Sequence, residues 1–364
     1  MRIGINGFGR IGRLALRIAL ERDPGLEIVA INTRGNADIN AYLFRYDSTY
    51  SPYQGHVEVH DDVMRVDGRA IRLTSFVNPL EIPWADLGVD LVVESTGVFA
   101  KAELAAAHLQ SGAKRVLVTA PSQGADVTIV MGVNHDEYDP GRHTIISAAS
   151  CTTNCLAPVV KVLYEAFGIE AGTMCTIHAY TNDQQILDKS HRDPRRSRAA
   201  AANIVPTTTG AAKALRLVLP AVGDRIQGVS YRVPTLTVSM IDLVVNLARP
   251  ADGAAELNAA LRRAARGSLF GILNVSDEQL VSTDFKGSSY SATVDGPMTS
   301  VVPGSQLAHV VAWYDNEWGY ASRIVNLARL IVDRQDGLHD FSPRGRMVAA
   351  AEIHRRLLLG ELGP

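Results

Sequence analysis

Short apolar runs alternate with helical patterns through the first half of the chain. The spacing predicts strands over residues 2–6, 27–32, 91–94, 115–119 and 144–148, and helices over 10–22, 36–45 and 101–110. Runs of this kind, separated by amphipathic helices, argue for a parallel sheet covered on both faces. Beyond residue 151 the texture changes. After a helical stretch over 156–167, longer strands of alternating polarity are predicted over 173–179, 228–233, 237–248 and 307–314. They suggest a mixed or antiparallel sheet in a second domain. A helical segment over 316–335 leaves that sheet, and a basic helical tail runs to residue 364.

At 364 residues the chain is long enough for about two domains. It is 46% hydrophobic and 20% charged, with a net charge of −2, so nothing in its balance asks for nucleic acid or an acidic membrane as the main partner. Three cysteines imply no disulfide framework and suit a reducing cytoplasm. The chain begins directly on a strand pattern without a leader, and no apolar run approaches the roughly 18 residues of a membrane helix. A soluble, cytoplasmic protein is expected.

Between the first strand and the first helix stands Gly-x-Gly-x-x-Gly, formed by Gly7, Gly9 and Gly12. In that context the motif reads as a dinucleotide fingerprint: a tight turn at Gly7, close backbone approach to a pyrophosphate at Gly9, close helix packing at Gly12. Arg10 and Ile11 open the helix whose N-terminus would face the phosphates. The predicted fold class is therefore α/β, a Rossmann doubly wound parallel sheet with a second α+β domain on a mixed or antiparallel sheet. The fingerprint expects an acidic residue at the end of the second strand, where this chain has Asn32, Thr33 and Arg34. Without that carboxylate a ribose 2′-phosphate meets no repulsion, and Arg34 could pair with it. Arg34 could equally be a solvated residue in the turn before Gly35.

Residues 150–155 read Ser-Cys-Thr-Thr-Asn-Cys, at a strand-to-helix junction. A thiol in a first helical turn sits among unpaired N–H groups at the positive end of the helix dipole, which favours thiolate. This nominates Cys151 as a nucleophile, with Ser150 as N-cap and the Thr152 and Thr153 hydroxyls nearby. The competing reading is a small buried residue closing the junction. His178, on the strand over 173–179, decides for the nucleophile, because pairing with a histidine is the usual way to make a thiolate. By strand alternation Cys175 points away from His178 and is expected in the core, and Cys155 is expected as a packed neighbour. Arg195, Arg196 and Arg198 cluster after His178, and residues 206–213 form a hydroxyl-rich loop opening a helix, a second phosphate cradle. Arg195 and Arg196 read as a solvated face. Arg198 and Arg232, each adjoining a motif, are the expected anion ligands.

Together these residues resemble the phosphorylating glyceraldehyde-3-phosphate dehydrogenase family. The match covers the opening Gly-Ile-Asn-Gly-Phe-Gly-Arg-Ile-Gly-Arg, Tyr46-Asp47-Ser48, Glu94-Ser95-Thr96-Gly97, residues 149–154, 178–184 and 206–213, Arg232-Val233-Pro234-Thr235 and residues 313–320. The resemblance implies attack of Cys151, activated by His178, on the aldehyde of glyceraldehyde 3-phosphate, hydride transfer to NAD or NADP, and cleavage of a thioester by inorganic phosphate. It implies that Thr181, Asp183 and Arg232 surround the substrate phosphate. Ser150, Thr152, Thr209, Gly210 and Arg198 would hold inorganic phosphate. Arg10, Ile11, Thr96, Gly97, Thr119 and Asn316 would line the cofactor, with Tyr320 close to the nicotinamide; no metal is assigned. It also implies a homotetramer in which the loop over 180–198 packs on a neighbour's cofactor site. The implied division is a dinucleotide-binding domain over 1–150, a catalytic domain over 151–315, a helix over 316–335 returning to the cofactor domain, and an extra tail over 336–364.

The chain departs from the family pattern at Thr33 with Arg34, at Val77, and at Lys189-Ser190, which replaces a Leu-Pro pair of bacterial NAD-specific members. Val77 stands where the family often has an Arg near the adenine, while Thr33 with Arg34 and Lys189 with Ser190 predict that NADP serves at least as well as NAD. The tail has no cysteine, and residues 347–359 could form a docked amphipathic helix. An erythrose-4-phosphate dehydrogenase, which hydrolyses its thioester, is the nearest rival; the intact 207–213 cradle favours the glyceraldehyde enzyme. A non-catalytic dinucleotide-binding regulator or RNA-binding protein is disfavoured by Cys151, His178 and the lack of a basic stripe.

Overall fold

The computed structural model describes residues 1–335 of the chain, and the tail over 336–364, with its predicted helix, lies outside the described residues. A first sheet of nine strands is built from β1 (Arg2–Asn6), β2 (Glu27–Asn32), β3 (Val57–His60), β4 (Val63–Val66), β5 (Arg69–Thr74), β6 (Leu91–Glu94), β7 (Arg115–Val118), β8 (Val127–Thr128) and β9 (Ile145–Ser147). Its spatial order is β3-β4-β5-β2-β1-β6-β7-β9-β8. The pairs from β5 through β8 are parallel, and β3-β4-β5 is an antiparallel meander at the edge. Strands β1, β6 and β7 are buried almost throughout because helices cover both faces, hence their continuous apolar composition.

The meander went unread in the sequence although its turns are marked. Asp67 and Gly68 join β4 to β5 with φ of 49° and 80°, the two positive values of a type I′ hairpin. The predicted helix over 101–110 is interrupted: α3 (Ala102–Ala105) and α4 (Ala107–Gln110) meet at Ala106. Helices α1 (Arg10–Arg22) and α2 (Ala37–Arg45) follow their strands as the apolar periodicity predicts.

Helix α5 (Cys151–Phe167) passes to a second sheet of eight strands: β10 (Ile169–Ala179), β11 (Val205–Thr208), β12 (Ile226–Val233), β13 (Ser239–Leu247), β14 (Leu273–Ser276), β15 (Ala292–Asp295), β16 (Ser300–Val301) and β17 (Leu307–Tyr314). Here β10 pairs parallel to β12 and β14 to β15, and the remaining pairs are antiparallel. Between the strands lie α6 (Ala211–Val218), α7 (Pro220–Gly223) and α8 (Ala254–Arg266). Strand β13 alternates buried and half-buried residues without a break, the signature of a sheet with one face on the core. Helices α5, α6 and α8 pack together on that face. The last helix, α9 (Trp318–Gln335), runs back to pack on α1 of the first sheet. Its apolar side chains, from Ile324 to Val332, join one continuous core with β1, α1 and α5.

Candidate active site

The glycine loop is shaped by close contacts. Gly7 has φ of 96°, and a Cβ there would lie 2.7 Å from the Thr96 amide nitrogen. A Cβ on Gly12 would lie 2.2 Å from the Gly7 carbonyl oxygen, so only glycine lets α1 begin where it does. Nothing lies within 4 Å of the corresponding position on Gly9, and no side chain caps α1. The first-turn N–H groups at Arg10 and Ile11 are thus left without a side-chain cap beside an open Gly9, as a helix start that receives a phosphate requires. Gly97, with φ of 73°, is equally open, and Thr119 bonds the Glu94 carbonyl at the end of β7.

The Arg10 guanidinium does not face this space. It bonds Asp47 at 2.5 Å and Glu317 at 2.6 to 3.1 Å. Burial alone would lower its pKa, but the two carboxylates more than reverse that and hold it charged. Only the backbone of Arg10 remains for a ligand. Asn32 is likewise engaged within the protein. Its side chain is buried and committed to Asn6, Thr74 and Phe76, because it closes the sheet end between β1 and β5. Thr33 is half-buried, and Arg34 and Val77 are exposed.

The thiol stands where the dipole argument requires. Ser150 caps α5, its Oγ accepting from Thr153 N–H at 3.1 Å, and Cys151 opens the helix half-buried. The preceding Ala149 holds φ of 57°, a strained value for a residue with a side chain. Tyr320 Oη donates to the Ala149 carbonyl at 2.9 Å, so α9 braces the junction, and just ahead of α9 Asn316 Oδ1 accepts from Ser239 Oγ of β13 at 2.9 Å.

Cys151 Sγ lies 3.5 Å from His178 Nε2. His178 Nδ1 lies 2.7 Å from the Ala179 carbonyl, and that contact is a hydrogen bond when Nδ1 carries the proton, which leaves Nε2 free to accept from the thiol. One Arg232 NH group then donates to the same Ala179 carbonyl at 3.1 Å and lies 3.4 Å from Thr181 Oγ1; it also sits 2.9 Å from Nδ1, a contact that is a hydrogen bond only in the other tautomer, with the proton on Nε2. Burial, and then the Arg232 charge, pull the His178 pKa down to about 3. Burial pushes the Cys151 thiol up, and Arg232 pulls it back. Both shifts favour a thiol beside a neutral imidazole in the free protein, against the thiolate that the helix start by itself favours.

The arginine assignments change places. Arg196 is drawn inward, with its side chain 17% exposed, bonding Asp183 and donating from Nε to Thr207 Oγ1 at 3.0 Å. Its charge is felt by both His178 and Arg232. Arg198 points outward, 60% exposed, and pairs with Asp188 at 2.9 Å. Ser197 N–H bonds the Asp193 carbonyl and Arg198 N–H the Arg195 carbonyl, a helical turn in which residues two apart point to nearly opposite sides, which composition could not reveal. Asp183 thus already has a cationic partner. Thr209 Oγ1 accepts from Ala211 N–H at 3.2 Å at the start of α6, with Gly210 open beside it.

Cys155 is buried as expected. Cys175 is not in the core: it is half-buried on the outer face of β10, opposite Asp242. The alternation was read correctly, but the buried face is the one carrying Met174, Thr176 and His178. Tyr314 was missed. Its hydroxyl joins Thr152 Oγ1 and Thr176 Oγ1, each at 2.9 Å, and its ring meets His178 edge-on at 6.0 Å. The only signal was its place at the end of a strand, ahead of Asp315 and Asn316.

A parallel sheet with a glycine-lined helix N-terminus, followed by a domain that pairs a cysteine with a histidine, is the make-up of an NAD(P)-dependent oxidoreductase. Residues 1–102 match the glyceraldehyde 3-phosphate dehydrogenase NAD binding domain, and residues 150–316 match the C-terminal domain of the same enzyme. The chain is 51% identical over 334 residues to glyceraldehyde-3-phosphate dehydrogenase of Geobacillus stearothermophilus, covering 92% of this chain and 99% of that one. It is 51% identical over 340 residues to the chloroplastic glyceraldehyde-3-phosphate dehydrogenase B of Pisum sativum, covering 93% of this chain and 75% of that one. The chain belongs to the glyceraldehyde-3-phosphate dehydrogenase family.

Proposed function

We propose that this site oxidises D-glyceraldehyde 3-phosphate to 1,3-bisphosphoglycerate, with inorganic phosphate and NAD or NADP, through a thioester on Cys151. The observation that carries the reading is the 3.5 Å approach of His178 Nε2 to a thiol at the N-terminus of α5. The thiol proton passes to Nε2 as sulfur adds to the aldehyde carbon, and the resulting oxyanion, stabilised by first-turn N–H groups of α5, takes that proton to give a hemithioacetal. His178 then removes the hydroxyl proton as hydride leaves the same carbon. The nicotinamide, when bound, supplies the acceptor for that hydride. A phosphate oxygen next adds to the thioester carbonyl and the C–S bond breaks, the sulfur leaving as thiolate. The thiolate takes back the proton held on His178, and the proton lost by the attacking phosphate goes to solvent, one per turnover.

Arg232, with Thr181 and Asp183, receives the substrate phosphate. An incoming dianion offsets the Arg232 charge, which adds to burial in keeping His178 neutral, so the base gains strength when substrate arrives. Inorganic phosphate is held by Ser150, Thr152, Thr209, Gly210 and Arg196, with Arg196 taking the role the sequence had assigned to Arg198. The loops at Gly7, Gly9, Gly12, Thr96, Gly97 and Thr119, with Asn316 and Tyr320 behind, seat the cofactor. The working unit is a homotetramer. Ile186, 84% exposed, and Leu187, 75% exposed, stand on the 180–198 loop and call for cover by another copy. Three free thiols suit a reducing compartment, read here as the cytoplasm.

Turnover measured with and without phosphate tests the reaction. Strict dependence on phosphate is expected, and indifference to it favours the thioester-hydrolysing rival. Iodoacetate should inactivate the enzyme and label Cys151; inactivation with label on Cys175 alone refutes the assignment.

A further inference from the structure

The C-terminal end of the first sheet contains a buried polar chain that the reaction leaves unused. Strands β2, β1 and β6 end in register on Asn32, Asn6 and Glu94, so these three side chains stand in a row. Asn32 Nδ2 donates to Asn6 Oδ1 at 2.8 Å, and Asn6 Nδ2 donates to Glu94 Oε2 at 2.6 Å. The other lone pair of that oxygen faces His108 Nε2 at 3.0 Å. Trp84 Nε1 in turn lies 3.0 Å from His108 Nδ1. Asn6, Glu94, His108 and Trp84 are each at most 2% exposed.

An indole N–H can only donate, so His108 Nδ1 must accept. The proton therefore sits on Nε2 and is donated to Glu94, which fixes both the tautomer and the carboxylate. The second Glu94 oxygen accepts from the Thr96 backbone N–H at 2.8 Å and from Thr96 Oγ1 at 2.5 Å. Those two bonds hold the turn through Thr96 and Gly97 at its open, positive-φ conformation beside the glycine loop. Thr96 in turn forms the wall against which Gly7 packs. All four acceptor positions of a buried carboxylate are thus filled, and two of them shape the cofactor's seat.

We infer that His108, fully buried behind the end of the sheet, is a positioning residue for the cofactor: acting through Glu94, it sets the Thr96–Gly97 turn and the adjoining glycine loop. Removing the imidazole leaves Glu94 one donor short and free to rotate away from Thr96. The inference rests on the reading of loop 7–12 as the cofactor's seat.

Kinetics of the intact enzyme test it. His108→Leu is expected to raise the cofactor KM tenfold or more, while the aldehyde KM and the rate of Cys151 alkylation in cofactor-free enzyme stay within twofold of wild type. His108→Gln, which keeps an N–H for Glu94 and an oxygen for Trp84, is expected to bring the cofactor KM back to within threefold. Should His108→Leu not fold, Glu94→Gln serves, since its amide must set an N–H against either Thr96 or His108; the same selective rise is expected. An unchanged cofactor KM in the folded variant overturns the inference, as does equal damage to all three quantities or no recovery with His108→Gln. If Gly12→Ala also leaves the cofactor KM unchanged, the fault lies with the reading of the loop itself.

Discussion

Arg196 and Arg198 lie two residues apart and have opposite expected weights. Arg198 and its partner Asp188 are 60% and 61% exposed, so their 2.9 Å contact is a surface pair worth about 0–1 kcal/mol, and Arg198→Ala should change any kinetic constant by no more than about fivefold. Arg196 is 17% exposed and pinned by Asp183 and Thr207, with its charge felt at His178 and Arg232. A charge-assisted contact to phosphate in such a setting contributes about 1.5–3 kcal/mol. Arg196→Ala should therefore lower kcat/KM for inorganic phosphate by roughly 10- to 160-fold. The assay is steady-state oxidation at saturating aldehyde and cofactor with phosphate varied, repeated with aldehyde varied. The loss should fall mainly on the phosphate arm. A larger loss for Arg198→Ala than for Arg196→Ala, or a loss below threefold for Arg196→Ala, refutes the reasoning.

Gly12→Ala drives a methyl against the Gly7 carbonyl, so cofactor affinity measured by titration should fall at least tenfold while Cys151 alkylation in the cofactor-free protein persists. His178 is neutral in the folded protein, with a pKa of about 3 against about 6.5 when unfolded, so the unfolded chain binds the extra proton between these values and stability falls as pH drops below 6.5. By pH 5 this amounts to roughly 2 kcal/mol, and His178→Gln should flatten the denaturation midpoint between pH 7 and pH 5. The cofactor prediction stands on Thr33, Arg34, Lys189 and Ser190: NADP should serve at least as well as NAD, and Arg34→Ala with Lys189→Ala should weaken NADP selectively, by less at high salt. A wild-type preference for NAD of a hundredfold or more refutes that.

Periodicity and turn chemistry are local, and the sequence alone determined what depends on them. Strands β1, β2 and β6 and helix α1 begin and end where the apolar runs and Gly7, Gly9 and Gly12 dictate. Ser150 and Cys151 are legible as a capped, thiol-bearing helix start because a cap is a matter of a few consecutive residues. His178 was legible as the partner only because a strand and a helix start each carried one half of a known chemistry.

Whatever depends on which side of a turn or sheet meets its neighbour was decided by the tertiary structure. Arg196 rather than Arg198 enters the site because the loop over 193–198 folds on Thr207, ten or so residues away. Cys175 is left on the outer face because α5 and α6 cover the other side of the sheet, a choice that alternation cannot make. Asn32 turns inward, and Tyr314 and His108 become partners of Thr152 and Glu94, across separations of up to 162 residues. Hydrogen bonds between buried groups are short-ranged and directional, so their partners are fixed only when packing has brought distant strands into register.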